Sequence, residues 1–118
     1  MSLAQRCVHE FDSLSQFRGE KFHQQNRVTV IRRTPSALVA TVRGSSDYYQ
    51  VGIDWGLAAQ GQLVASCTCP RYEDGFRCKH IWATLLEIDA SDSGISVRGT
   101  DPLCVIDPED VDPEDVDP

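Results

Sequence analysis

Between Val28 and Cys67 the chain carries four segments of strand-like pattern, and the rhythm changes after His80. Val28-Thr-Val-Ile31 is β-branched throughout. Ala37 to Arg43 puts Leu38, Ala40 and Val42 on one side, with Val39 and Thr41 on the other. Tyr48 to Asp54 sets Tyr49, Val51 and Ile53 on a common face, and Leu63 to Cys67 is a fourth segment of the same kind. Turn-forming residues separate them: Thr34-Pro35-Ser36, Gly44-Ser45-Ser46-Asp47, and Gly56 through Gly61. Four successive strands on short connections predict an antiparallel meander. From His80 to about Asp89, apolar residues fall at Ile81, Trp82, Leu85, Leu86 and Ile88, the spacing of one buried helical stripe. Breakers from Ser91 to Gly94 end it. An N-terminal helix is also expected between Leu3 and Phe17, through Leu3, Cys7, Phe11 and Leu14, although Ser13 and Ser15 interrupt it.

The last 18 residues follow neither rhythm. Asp107-Pro-Glu-Asp-Val111 repeats as Asp112-Pro-Glu-Asp-Val116, and Asp117-Pro118 begins a third copy. Proline lacks an amide proton, like charges repel, and a valine every fifth residue builds no core. Residues 1–100 are therefore expected to form one domain, and 101–118 a disordered acidic tail or linker. A solubilising tail is one reading of it, and a competitor for a basic face is the other. A chain ending inside a repeat also suits a segment of a longer protein.

This division changes the meaning of the net charge. The whole chain of 118 residues carries −7, but residues 101–118 hold eight acids and no base, leaving +1 on residues 1–100. Within 18–43, Arg18, Lys21, Arg27, Arg32, Arg33 and Arg43 face only Glu20. The acidic balance is thus no argument against a polyanionic partner for the body. No stretch approaches the length of a membrane span or the apolar centre of a signal peptide. The expected location is cytoplasmic, where thiols stay reduced, and five cysteines cannot all pair as disulfides.

Four of the metal-ligating residues are grouped. Cys67-Thr-Cys69-Pro70 is followed by the segment from Arg71 to Arg77 and then by Cys78-Lys-His80. Alternate residues of a strand share a face, so Cys67 and Cys69 can turn to one ion as the strand ends. Residues two apart on a helix diverge by about 200°, so Cys78 should precede the helix and His80 occupy its first turn. Gly75 lets the intervening loop turn. Three thiolates and an imidazole suit one tetrahedral Zn²⁺ and leave no open position, which makes the ion structural. Arg77 and Lys79 can help to keep the thiolates ionised. Buried structural cysteines or a redox C-x-C pair are the competing explanations, and the latter leaves Cys78 and His80 unaccounted for. The fold class is then α+β: a small antiparallel sheet of about four strands followed by a zinc-stapled strand–loop–helix.

The C-x-C…C-x-H pattern, with Ile81, Ala83, Leu85 and Leu86 after it, resembles the SWIM zinc finger, whose unit is ββα. The Val42-Arg-Gly44-Ser45 turn, Tyr48 or Tyr49 and Val51, and more loosely Phe17-Arg-Gly19 and Val28, are similar to the region before SWIM motifs in bacterial proteins of the Snf2 helicase-associated type. The close match covers about 67–86. The resemblance implies zinc binding and recognition of DNA or protein, as an accessory part of a larger machine.

No phosphate-binding G-x-x-x-x-G-K-[ST] loop and no evident pair of catalytic groups is present. The expectation is a non-enzymatic module with no small-molecule substrate and no membrane attachment. Its partner is DNA or another nucleic acid, with a purely protein-interacting module as the alternative. Arg27, Arg32, Arg33, Arg43, Arg77 and Lys79 are the candidate phosphate contacts, unless the basic stretch is simply a solvated face. Trp82 belongs to the helix stripe, Trp55, Tyr48 and Tyr49 are open to core or stacking roles, and Cys7 and Cys104 are expected to be free thiols.

Overall fold

The structure is a computed structural model that describes residues 2–44, 46–73, 77–91 and 101–110. Gly75, the breakers at 92–94 and the repeat from residue 111 onward lie outside the described residues.

Two short N-terminal helices replace the single one expected. Helix α1, Leu3–Cys7, starts at a Ser2–Gln5 capping box, and a single 3-10 turn follows at Val8–Glu10. Helix α2, Ser13–Gln24, starts afresh at Asp12, whose carboxylate accepts the Ser15 amide at 2.7 Å. Between them Phe11 is extended and buried, its ring 5.1 Å from that of Trp82. Two caps within ten residues outweigh a stripe that spans both helices, and Leu14 is consequently exposed. Asn26 ends the turn after α2 in the left-handed region at φ 56°, which asparagine tolerates better than most residues.

The meander follows as β1 (Val28–Arg33), β2 (Ala37–Arg43), β3 (Tyr48–Asp54) and β4 (Gln62–Cys67), each antiparallel to its neighbour. Leu38, Ala40 and Val42, Val51 and Ile53, and Leu63, Ala65 and Cys67 all point to the buried face, as the alternation requires. Strand β1 is an edge, with a bulge at Ile31 and then Arg32 and Arg33, devices that discourage a further strand from pairing there.

After the short helix α3 (Pro70–Glu73), helix α4 (Lys79–Ala90) lies between the sheet and the pair α1 and α2. Being covered on two sides, it buries more than one stripe: Ile81, Trp82, Ala83, Thr84, Leu85 and Ile88 are all buried. The approach to α2 is tight at Gly19, where a Cβ would lie 2.7 Å from Trp82 Cδ1 and 2.8 Å from the Lys79 carbonyl oxygen. At the other end, the Asp89 carboxylate accepts the amides of Leu3 and Ala4 at 2.9 and 3.0 Å, so α4 also caps α1.

The boundary expected at residue 100 does not hold for residues 101–110. Cys104–Ile106 forms a fifth strand, β5, parallel to β4. Leu103 and Val105 are fully buried. The Leu103 amide donates to the Arg6 carbonyl at 2.8 Å, and the Val105 amide to Glu10 Oε2 at 2.9 Å. The sheet is therefore mixed, in the order β1-β2-β3-β4-β5. Leu-Cys-Val-Ile at 103–106 carries enough apolar surface to dock, but its acidic surroundings mask that pattern in the sequence. No helix among the described residues is long and apolar enough to cross a membrane.

Candidate metal centre

The end of β4 is locked in place before the first ligands appear. Thr68 donates its amide to the Gln50 carbonyl at 3.2 Å and accepts the Gln50 amide on its hydroxyl at 3.0 Å. This extends the β3–β4 ladder past Cys67 and fixes how Cys67 and Cys69 flank Thr68. Pro70 then opens α3, a position that suits a residue without an amide proton. The α3 turn sends the Tyr72 amide back to Cys69 Sγ at 3.4 Å. Cys78 is the N-cap residue of α4, with extended backbone at φ −90°, ψ 163°. His80 is the second residue of that helix, as the two-residue spacing requires.

The four ligand atoms lie within 4.8 Å of one another. Cys67 Sγ and His80 Nδ1 are 3.7 Å apart, and a sulfur at about 2.3 Å and an imidazole nitrogen at about 2.0 Å on one tetrahedral zinc would stand roughly 3.5 Å apart. All four residues are buried. The imidazole is held by the Tyr49 ring at 4.7 Å and the Phe22 ring at 5.6 Å, and Thr84 Oγ1 donates to the His80 carbonyl at 2.8 Å. The residues fit a single zinc ion, and Cys67, Cys69, Cys78 and His80 are positioned to bind it.

The thiol chemistry points the same way. Cys78 is pulled down to about 4, first by a hydrogen bond with Cys67 and then by His80 and the Ile81 amide. Cys67 is pushed well above the ordinary thiol range, chiefly by the same bond to Cys78 and by burial. Cys69 is raised by burial in the first place. Three thiolates held this close together repel one another without a cation between them. Bound zinc supplies the positive charge that lets all three ionise, and the buried site ties that binding to folding.

The six candidate phosphate contacts fall into three places. Arg27 and Arg43 meet at the end of β1 and β2 nearest α2, where Arg27 Nη1 donates to the Arg43 carbonyl at 3.1 Å. Arg32 and Arg33 sit at the hairpin end of β1, a strand's length away. Arg77 is turned inward: Nη2 donates to the Val105 carbonyl at 2.6 Å and Nε lies 3.8 Å from Glu10 Oε2. It holds β5 rather than lining an open surface. Lys79 rejoins the first group, since Lys79 Nζ and the Arg27 guanidinium both stand over the Phe22 ring, at 5.0 and 4.9 Å. Both tryptophans are buried, with Trp55 Nε1 donating to the Pro35 carbonyl at 3.1 Å. Tyr48 is 71% exposed. Arg18 and Arg71, absent from the expected set, border the metal centre. Arg18 lay within the basic stretch, but no spacing rule connects it to residue 79.

A strand-end knuckle and a helix start, four buried donors and one ion's worth of space define a small zinc-binding unit. Residues 49–89 match the family model described as SWIM zinc finger, a span that begins in β3 and ends in α4. No curated protein matches the chain, and neither does any solved structure.

Proposed function

We propose that this chain is a zinc-stapled recognition module that binds nucleic acid, acting without catalysis inside a reducing, cytoplasmic compartment. The observation that carries this reading is a polar hollow of about 200 Å³ bordered by Asn26, Arg27, Thr29, Thr41, Arg43 and Tyr48. It combines guanidinium groups for phosphate, hydroxyls for sugar or phosphate oxygens, and an exposed ring on which a base can stack. The zinc centre contributes by rigidity: it fixes the β3–β4 end that presents Tyr48. An accessory role in a Snf2-type DNA machine extends the proposal, supported by the likeness of the Val42-Arg-Gly44-Ser45 sequence and of Tyr48 or Tyr49 and Val51 after it.

Fluorescence anisotropy with labelled DNA and RNA at 50–200 mM salt tests the reading. The expected result is binding that weakens steeply with salt and falls at least about tenfold when Arg43→Gln and Tyr48→Ala are combined, one lost charge-assisted contact and one lost stack being worth more than the 1.4 kcal/mol of that factor. No binding at 50 mM salt would overturn it. A protein-interaction module is the second reading, favoured by Leu14 and Phe17, which stand 51% and 55% exposed three residues apart on α2. Phe17→Ser would then weaken binding of a protein partner and leave nucleic-acid binding untouched.

A further inference from the structure

We infer that a second phosphate subsite lies beside the metal centre, and that the two subsites together guide a single-stranded nucleic acid around the end of the sheet. This rests on the nucleic-acid reading above. A hollow of about 270 Å³ opens over Cys69, Cys78 and His80, and Arg18, Arg71 and Lys79 stand on its walls. They come from α2, α3 and α4, so only the folded chain gathers them.

The electrostatics favour the rim of this hollow over its floor. Three thiolates, one imidazole and Zn²⁺ leave about one negative charge at the floor, which repels a phosphate. Arg71 Nη2 already lies 3.9 Å from Asp12 Oδ2. Arg18 on exposed helix surface and Lys79 over Phe22 are the two cations that a backbone phosphate at the rim would meet.

The two subsites share no wall, but Phe22 links them, since a cation from each stands over its ring. Lys79 of the second hollow and Arg27 of the first stand 5.0 and 4.9 Å from the centre of that ring. Tyr48 borders the first hollow and Tyr49 the second. Successive residues of a strand face opposite sides of a sheet, so the track bends around the N-terminal end of β3. A single strand follows such a bend freely. A duplex, with a persistence length of about 150 base pairs, would have to be deformed.

The test uses the zinc-loaded full chain, a labelled 15-nucleotide single strand and its duplex, and a salt series. Arg18→Gln with Lys79→Gln should lower the slope of log affinity against log salt by about 1.4, some 0.7 for each lost phosphate contact with a single strand. Lys79→Arg should restore its share. The duplex should bind at least tenfold more weakly than the single strand. Metal analysis must show one zinc in each variant, and Arg18→Gln alone serves if the Lys79 variant loses it. A parental slope in the Arg18 and Lys79 variant, with binding still reduced by Arg43→Gln, would overturn the subsite and leave the broader reading standing. Equal binding of duplex and single strand would overturn the bent path. No binding of either by the parent would remove both proposals.

Discussion

The hydroxyl of Tyr72 meets the carboxylate of Asp107, joining the helical turn after the first two metal ligands to the segment that follows β5. The same hydroxyl lies 3.0 Å from the Ala65 carbonyl. Burial and the neighbouring carboxylate push the tyrosine up, and the tyrosine's hydrogen bond holds Asp107 below its ordinary value. Together with Arg77 on the Val105 carbonyl, this contact makes the metal loop and the fifth strand one packed unit. Tyr72→Phe is expected to cost about 1 kcal/mol, since it removes the hydroxyl that joins α3 to Asp107. Amide exchange at Val105 should speed up while the zinc content stays at one. Unchanged protection at Val105 would contradict the coupling.

Removal of residues 101–118 tests the fifth strand more severely. Leu103 and Val105 are buried completely, and apolar side chains of this kind contribute about 1.5–3 kcal/mol each. A chain ending at residue 100 should therefore lose roughly 3–6 kcal/mol in chemical denaturation. Removal of residues 111–118 alone gives the comparison, and a full-length midpoint for the chain ending at 100 would show that β5 contributes nothing.

Metal removal should be the largest perturbation. The binding energy of a structural zinc is of order 10 kcal/mol, and here the ligands tie the end of β4 to the start of α4. Cys69→Ala and His80→Ala are expected to abolish zinc binding and collapse the cooperative thermal transition, as strong chelator should for the parent. Cys104→Ser, on exposed surface, should keep both. A parental melting temperature for Cys69→Ala would mean that the ion is dispensable to the fold.

Thiol labelling separates the five cysteines by environment. Cys104 is exposed, whereas Cys7 is buried and pushed up to about 12, mainly by that burial. With zinc bound, one thiol should react rapidly in the native protein, by mass spectrometry of the alkylated chain. Chelation should make the three ligand thiols reactive as well. Rapid native labelling of Cys7 would show that the N-terminal helices do not pack as described.

Gly19 faces α4 with no room for a side chain, and an added methyl would clash with both Trp82 and the backbone at Lys79. Backbone cannot move aside as a flexible side chain can. Gly19→Ala is expected to destabilise by about 1–3 kcal/mol despite alanine's better helix propensity. A stabilised variant in urea denaturation would refute the tight crossing.

Local chemistry made much of this protein legible from its sequence. The alternation in Leu38–Val42 and Tyr49–Ile53 specifies strands with one buried face, because strand geometry repeats every two residues. Cys67, Cys69, Cys78 and His80 stand so close in the chain that donor type and spacing, together with the resemblance to the SWIM zinc finger, pointed to one zinc ion. What lay beyond was decided by partners distant in sequence. Cys104–Ile106 becomes a strand only because β4 offers an edge and Arg6, Glu10 and Arg77 supply its remaining bonds. Arg77 turns inward for the same reason, though its neighbours in the chain gave no hint of it. The stripe from Leu3 to Leu14 yielded to two separate caps and to the burial of Phe11 on Trp82. Likewise the basic residues of 18–43 were visible as a group, but only the fold sends Arg32 and Arg33 to one end of the sheet and brings Arg18 to Lys79. Periodicity and ligand spacing are properties of neighbouring residues, whereas docking and charge grouping arise when surfaces far apart in the chain exclude water together.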